Sequence, residues 1–183
     1  MTLRFYLVET KLGWIGLLLS PRGLRATTLP RPSRDDALRE VAELGPLEPA
    51  SQADAGHIGR RVKALAEGRP AALDGIIDWQ DISGFRRAVM EEALRIPPGE
   101  TRSYGWLAEK VGRPRAARAV GRVMATNPLP IVVPCHRVIG SDGSLRGYGD
   151  SGRARSAAGL AMKAALLRAE GVRVGQAATD QRV

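Results

Sequence analysis

The strongest constraint on the fold is a change of patterning near Asp81. Up to that point apolar runs alternate with turn residues, and beyond it helix-length segments are cut apart by proline and glycine. Phe5–Val8, Trp14–Leu19 and Leu24–Leu29 are separated by Lys11–Gly13 and Pro21–Gly23, which predicts a short antiparallel meander. Pro30-Arg31-Pro32 stops that sheet. Asp35–Leu44 and Ala55–Glu67 have helical periodicity, Pro46–Ala53 reads as a loop between them, and Leu73–Trp79 reads as one more short strand.

After Asp81 the pattern predicts four short helices and a hairpin. The first helix, Ser83–Ile96, is ended by Pro97-Pro98-Gly99. Ser103 can cap the second, Tyr104–Val111, and Gly112 can terminate it. Pro114 suits the first turn of the third, which runs to about Ala125. Two helices joined by a tight turn, the second rich in Arg and Ala, fit a helix-turn-helix, with a plain helical hairpin as the alternative. Asn127-Pro128-Leu129-Pro130 then leads into an apolar run, Ile131–Val133, that reads as extended. Val138–Tyr148, with Ser141-Asp142-Gly143 at its middle, reads as a hairpin, and Gly159–Glu170 as the last helix. The organisation expected is an N-terminal α/β domain over 1–80, a C-terminal domain over 81–173 and a mobile tail over 174–183.

Charge points to a partner. Residues 102–155 hold ten Lys or Arg against three Asp or Glu, so most of the net charge of +9 sits in under a third of the chain. A local basic excess of this kind suits nucleic acid, although an arginine-rich composition offers a plainer account. No apolar run approaches the length of a membrane span, and the first residues lack the order of a secretory signal. A cytoplasmic protein without a membrane partner is expected. One cysteine and two histidines, His57 and His136, leave no disulfide and no structural zinc set, so neither metal nor cofactor is expected.

That cysteine, Cys135, is followed by His136, preceded by Pro134 and delivered by an apolar run. A lone cysteine is ordinarily a small buried hydrophobe. A neighbouring base and a restrained backbone favour a reactive thiol instead.

Pro134-Cys135-His136-Arg137-Val138 resembles the active-site signature of the O6-alkylguanine-DNA alkyltransferases, the methylated-DNA–protein-cysteine methyltransferases. Ile96–Gly105 resembles the segment leading into that family's helix-turn-helix, and Ala116–Gly121 its recognition helix. Asn127-Pro128 stands where the family has it, and Gly159-Leu160, Lys163 and Leu166–Gly171 resemble the C-terminal helix. The likeness is strong over about 80–172, and looser in the N-terminal part.

The resemblance implies an α/β (α+β) fold: a small N-terminal antiparallel sheet with helices, ribonuclease H-like, then a mostly helical domain with a helix-turn-helix. It implies stoichiometric, irreversible transfer of an alkyl group from O6-alkylguanine in double-stranded DNA to Cys135, with O4-alkylthymine as a further substrate class. The protein is expected to be a monomer without DNA. His136, through a water, acts as the base, Glu170 orients His136, and Tyr104 is the donor to the departing purine. Arg118 fills the stack after the base is flipped. Ala116, Ala117 and Gly121 keep the helix thin for the minor groove, and Arg113, Arg115 and Arg122 meet phosphates. Met124 packs on the base, the carbonyls of Cys135 and Val138 read the guanine amino group, and Tyr148 covers the pocket. Asn127 ties the helix-turn-helix to the active-site segment, and Lys163 supports the pocket or the tyrosine.

The chain departs from the family between Tyr148 and Gly159, where it has extra residues that include Arg153 and Arg155. These either add a DNA contact and tune access for bulky adducts or form a tolerated loop. Three other readings compete. An alkyltransferase-like protein that only binds lesions lacks the acceptor cysteine. A Cys/His hydrolase would not need the basic middle. A DNA-binding regulator would bring a further domain.

Overall fold

The computed structural model describes residues 3–43, 47–72, 75–148 and 156–174. The chain divides into two compact units, Met1–Gln80 with Pro128–Val132, and Asp81–Asn127 with the chain from Val133 onward. Residues 73–74 of the expected 73–79 strand, 149–155 of the inserted loop and 175–183 of the expected tail lie outside the described residues. No helix among the described residues is long and apolar enough to cross a membrane.

The first unit is built on the expected meander. Strands β1 (Leu3–Thr10), β2 (Gly13–Ser20) and β3 (Gly23–Thr27) pair antiparallel in sequence order. The turns are tight because Gly13 and Gly23 adopt φ of +122° and +136°, and a Cβ on either would strike a backbone oxygen at 2.4 Å. Helices α1 (Arg34–Ala42) and α2 (Gln52–Ala66) cover the two faces of the sheet. The register shows why: Gly16 lies under Val41 of α1, whereas Tyr6, paired with Leu17 on the other face, meets Gly59 of α2. With both faces covered, Ile15, Leu17, Leu18 and Leu19 are all buried. Ser33 and Ser51 cap the two helices through the amides of Asp36 and Asp54.

Two expectations for this unit are corrected. Within the expected loop 46–53, Leu47–Pro49 forms β4, which pairs in parallel with β1, so the sheet is mixed rather than wholly antiparallel. A proline is tolerated there because β4 is an edge strand. The expected strand over 73–79 is reduced, among its described residues, to a single bridge between Ile77 and Leu24.

The second unit is mostly helical. Helices α3 (Gly84–Leu94), α4 (Tyr104–Lys110), α5 (Ala117–Ala125) and α6 (Ala157–Ala169) bury Val89, Met90, Leu107, Val120, Leu166 and Leu167. Ser103 caps α4 as expected, accepting from the Trp106 amide at 3.0 Å. Pro114 does not open α5. It lies in a turn closed by the Ala116 amide on the Arg113 carbonyl, and the helix begins at Ala117. The expected hairpin over 138–148 keeps its turn, with Gly140 donating to Ser144, but has no returning strand. Instead β6 (Val138–Ile139) pairs in parallel with β5 (Arg102–Ser103), which carries the chain from the cysteine back to the start of α4. Ile131–Val133, whose first two residues belong to the first unit, is also not a regular strand. Ile131 adopts φ of +75° in a turn, and the cysteine enters on a short 3-10 turn, Cys135–Arg137.

Candidate active site

Tyr104, Arg118, Met124, Cys135 and Tyr148 line one cleft of about 820 Å³ in the second unit. Cys135 sits at its wall and is 95% buried, its relative exposure being 5%. Its sulfur accepts a hydrogen bond from Asn127 Nδ2 at 3.2 Å, while the same nitrogen donates to the Val133 carbonyl at 2.9 Å. Both amide protons of Asn127 are therefore spent on the segment that carries the thiol. Burial pushes the Cys135 thiol up, against the Asn127 bond, the Lys163 charge and Tyr148, which pull it down. The protonated thiol is the resting form, so positive surroundings alone do not supply the thiolate.

A base stands beside it. His136 is buried, and burial holds its pKa below the ordinary value in spite of Glu170. Its Nε2 meets Glu170 Oε1 at 2.9 Å. Glu170 is ionised at neutral pH and can only accept, so Nε2 carries the proton and Nδ1 is left as the basic lone pair. That Nδ1 is buried and has no hydrogen-bond partner in the chain among the described residues. It is not bonded directly to the sulfur.

Glu170 closes the chain of contacts. Burial alone would raise its pKa, but hydrogen bonds and charges from His136 and Arg137 hold it at about 2. Arg137 embraces the carboxylate, with Nε 3.1 Å from both oxygens and Nη2 2.7 Å from Oε1, and its Nη1 donates to the Ile96 carbonyl at 2.6 Å. Arg137 is the residue that sequence reasoning left without a role. Its signal in the sequence is a permanent charge inside the cysteine motif. Because the folded-state pKa of Glu170 lies below the ordinary 4.5, its contribution to stability is present above pH 4.5 and is lost as pH falls toward 2. The depressed His136 acts in the same direction at higher pH. The loss from Glu170 should be on the order of 3 kcal/mol, read as a fall in denaturant midpoint between pH 5 and pH 2 that Glu170→Gln lacks.

Three further groups stand around the thiol. Lys163 is fully buried, donates to the Val138 and Leu145 carbonyls at 2.6 and 2.8 Å, and lies 5.9 Å from the Tyr104 ring centre. Burial lowers its pKa to about 8. Tyr104 is raised to about 12, first by burial and then by the cysteine, so its phenol keeps its proton at neutral pH. Tyr148 is raised well above the ordinary range for the same reasons, burial first and then the cysteine close to its hydroxyl. Its ring meets His136 edge-on at 6.4 Å.

Most of the expected site residues thus converge, in two layers. Ala117, Gly121 and Arg122 join Arg118 and Met124 on the cleft lining, whereas Val138, Asn127 and Lys163 do not line it. Those three reach the site through the sulfur or through backbone carbonyls. Arg115 is exposed and Ala116 half-buried, and both lie outside the cleft lining. Arg113, Arg115, Arg118 and Arg122 are all exposed and form no ion pair among the described residues.

The wall depends on one glycine. A Cβ on Gly159 of α6 would fall 1.9 Å from the Tyr148 carbonyl. Gly159→Ala should therefore displace Tyr148, cost roughly 1–3 kcal/mol and impair the cleft without touching Cys135, which a thermal melt and a rate measured with intact thiol titre will show.

A mixed α/β fold and a buried cysteine backed by a His–Glu pair define a protein built around one shielded nucleophile. Residues 84–172 match the family described as 6-O-methylguanine DNA methyltransferase, DNA binding domain. A methylated-DNA–protein-cysteine methyltransferase of Shigella flexneri is 39% identical over 68% of each chain. One from Mycobacterium leprae is 60% identical over 65 residues, 36% of this chain, so the match spans about two fifths (39%) of that relative's length. A crystal structure of the Mycobacterium tuberculosis protein in complex with DNA is 33% identical, covers 98% of both chains and superposes with a TM-score of 0.70. The chain belongs to the methylated-DNA–protein-cysteine methyltransferase family.

Proposed function

We propose that the protein repairs DNA by direct reversal, moving the alkyl group of O6-alkylguanine in a duplex onto Cys135 once and permanently. The observation that supports this best is a buried thiol held by Asn127 beside a neutral His136 whose other nitrogen is bound to an ionised Glu170. His136 Nδ1 takes the thiol proton through a water, and Glu170 balances the imidazolium that forms. The sulfur then bonds to the alkyl carbon as the carbon–O6 bond breaks. The electrons of that bond pass to the purine, which receives a proton from Tyr104.

A base within a duplex cannot reach such a cleft, so the nucleotide is rotated out, at a cost of about a few kcal/mol. In this reading α4 and α5 act as a helix-turn-helix laid in the minor groove. Ala116, Ala117 and Gly121 permit close approach, Arg118 at the cleft mouth takes the place of the flipped base, and Arg113, Arg115 and Arg122 meet phosphates. Met124 packs against the base, Tyr148 covers it, and the carbonyls of Cys135 and Val138 read its amino group. The first unit is read as ribonuclease H-like, and the protein as a cytoplasmic monomer in the absence of DNA.

The test is to incubate the protein with a duplex carrying O6-methylguanine under reducing conditions and weigh it intact. One CH2 gained per chain, located on the peptide containing Cys135 and not followed by turnover, is the expected result. No gain in mass with a titratable thiol overturns the proposal.

A further inference from the structure

One arginine of α3 works outside its own helix. Arg86 Nη2 donates to the carbonyl of Thr126, and its Nε is buried without a hydrogen-bond partner among the described residues. Thr126 closes α5: its amide and its hydroxyl both return to the Arg122 carbonyl, at 3.0 and 2.9 Å. The Thr126 carbonyl is one of the unpaired acceptors at a helix C-terminus, where a cation satisfies the acceptor and opposes the helix dipole. That carbonyl also lies in the rigid peptide plane shared with the amide of Asn127. Asn127 is the residue whose side chain grips both the Val133 carbonyl and the Cys135 sulfur.

We infer that Arg86 is a positioning residue for the transfer reaction: by clamping the Thr126–Asn127 peptide, it sets the direction from which the Asn127 amide meets the sulfur. The inference rests on Cys135 being the alkyl acceptor. Arg86 does not line the cleft, so its influence passes through Asn127. Arg95, at the end of the same helix, offers a contrast. It is exposed and spends its charge on Glu92, one turn away. Lys163 and Tyr148 act on the sulfur as well, and the sulfur on Tyr104, whereas the hydrogen bond of Arg86 goes to the Thr126 carbonyl.

The experiment compares Arg86→Gln, Arg86→Lys and, as a control, Arg95→Gln. Two rates are read: methyl transfer from a duplex carrying O6-methylguanine, and alkylation of Cys135 by iodoacetamide as a function of pH. Arg86→Gln should slow transfer about tenfold at unchanged duplex affinity, the size of one lost hydrogen bond to a charged group. It should also move the iodoacetamide profile to higher pH by about half a unit to one unit, because the thiolate has lost part of its support. Arg86→Lys should recover part of both effects, and Arg95→Gln should show neither. In an Asn127→Ala background, Arg86→Gln should add nothing. A lower melting temperature with an unmoved iodoacetamide profile overturns the inference, and so does an effect that adds in full to Asn127→Ala. If the unaltered protein fails to transfer methyl groups while the iodoacetamide profile still responds to Arg86, the repair reading falls and the Arg86–Asn127–Cys135 coupling stands.

Discussion

Glu170→Ala is expected to cost both folding and chemistry, by amounts large enough to separate. The carboxylate is 1% exposed and serves four donors: His136 Nε2, two nitrogens of Arg137 and, at 3.4 Å, the Gly99 amide. Removing it leaves the Arg137 guanidinium, itself 6% exposed, as a buried cation whose remaining hydrogen bond among the described residues is to the Ile96 carbonyl. Breaking a buried pair from one side costs roughly 3–5 kcal/mol, because the stranded charge keeps its desolvation penalty. Transfer should fall on the order of a hundredfold to a thousandfold, since the imidazolium that forms at His136 has lost its counter-charge and the ring its fixed tautomer. Adding Arg137→Met to Glu170→Ala removes the stranded cation. The double variant should recover much of the denaturant midpoint and none of the rate. A double variant that recovered its rate along with its stability would show that Glu170 matters only as a structural anchor.

The same cluster shows how far the sequence could be read. Cys135 and His136 are neighbours, so their chemistry was visible in the residues themselves. Glu170 stands 34 positions away at the end of α6, and nothing in composition or periodicity singles it out from other acids. It was reached only through the family resemblance. The sequence alone assigns Arg137 no role, because a charge beside a reactive pair fits a solvated surface as well as an inward contact. Only the fold shows it turned inward.

Elsewhere the misreadings share one cause, in that local pattern was overridden by tertiary context. Ile131-Val132-Val133 has strong β propensity, yet Ile131 takes a left-handed φ that a β-branched residue rarely adopts, and Ile131, Val132 and Val133 are all buried. Leu47–Pro49 has weak propensity and carries a proline, yet the open edge of β1 recruits it. By contrast the meander, the Ser103 cap and α6 were legible, because turn chemistry and apolar periodicity there agree with the final packing.

The second large effect is expected at the acceptor itself, and the choice of replacement matters. Both Cys135→Ser and Cys135→Ala should abolish transfer, since a buried serine hydroxyl is far less acidic than a thiol and His136 cannot ionise it to a useful extent. Their stabilities should differ. Asn127 Nδ2 donates one proton to the sulfur and the other to the Val133 carbonyl. A serine oxygen keeps an acceptor for the first proton, whereas alanine leaves it buried and unpaired, at a cost of about 1–3 kcal/mol. Alanine should therefore be the less stable variant in chemical denaturation. Neither change touches the exposed Arg113, Arg115, Arg118 or Arg122, so binding to duplex DNA should persist in both, with its steep dependence on salt intact. Such variants would hold an alkylated base without releasing it from damage, which a gel-shift measured beside the intact-mass assay can follow. Residual transfer in Cys135→Ser would move the acceptor to another side chain, and loss of DNA binding in both would tie the cleft to the basic helix more tightly than the separate contacts of each require.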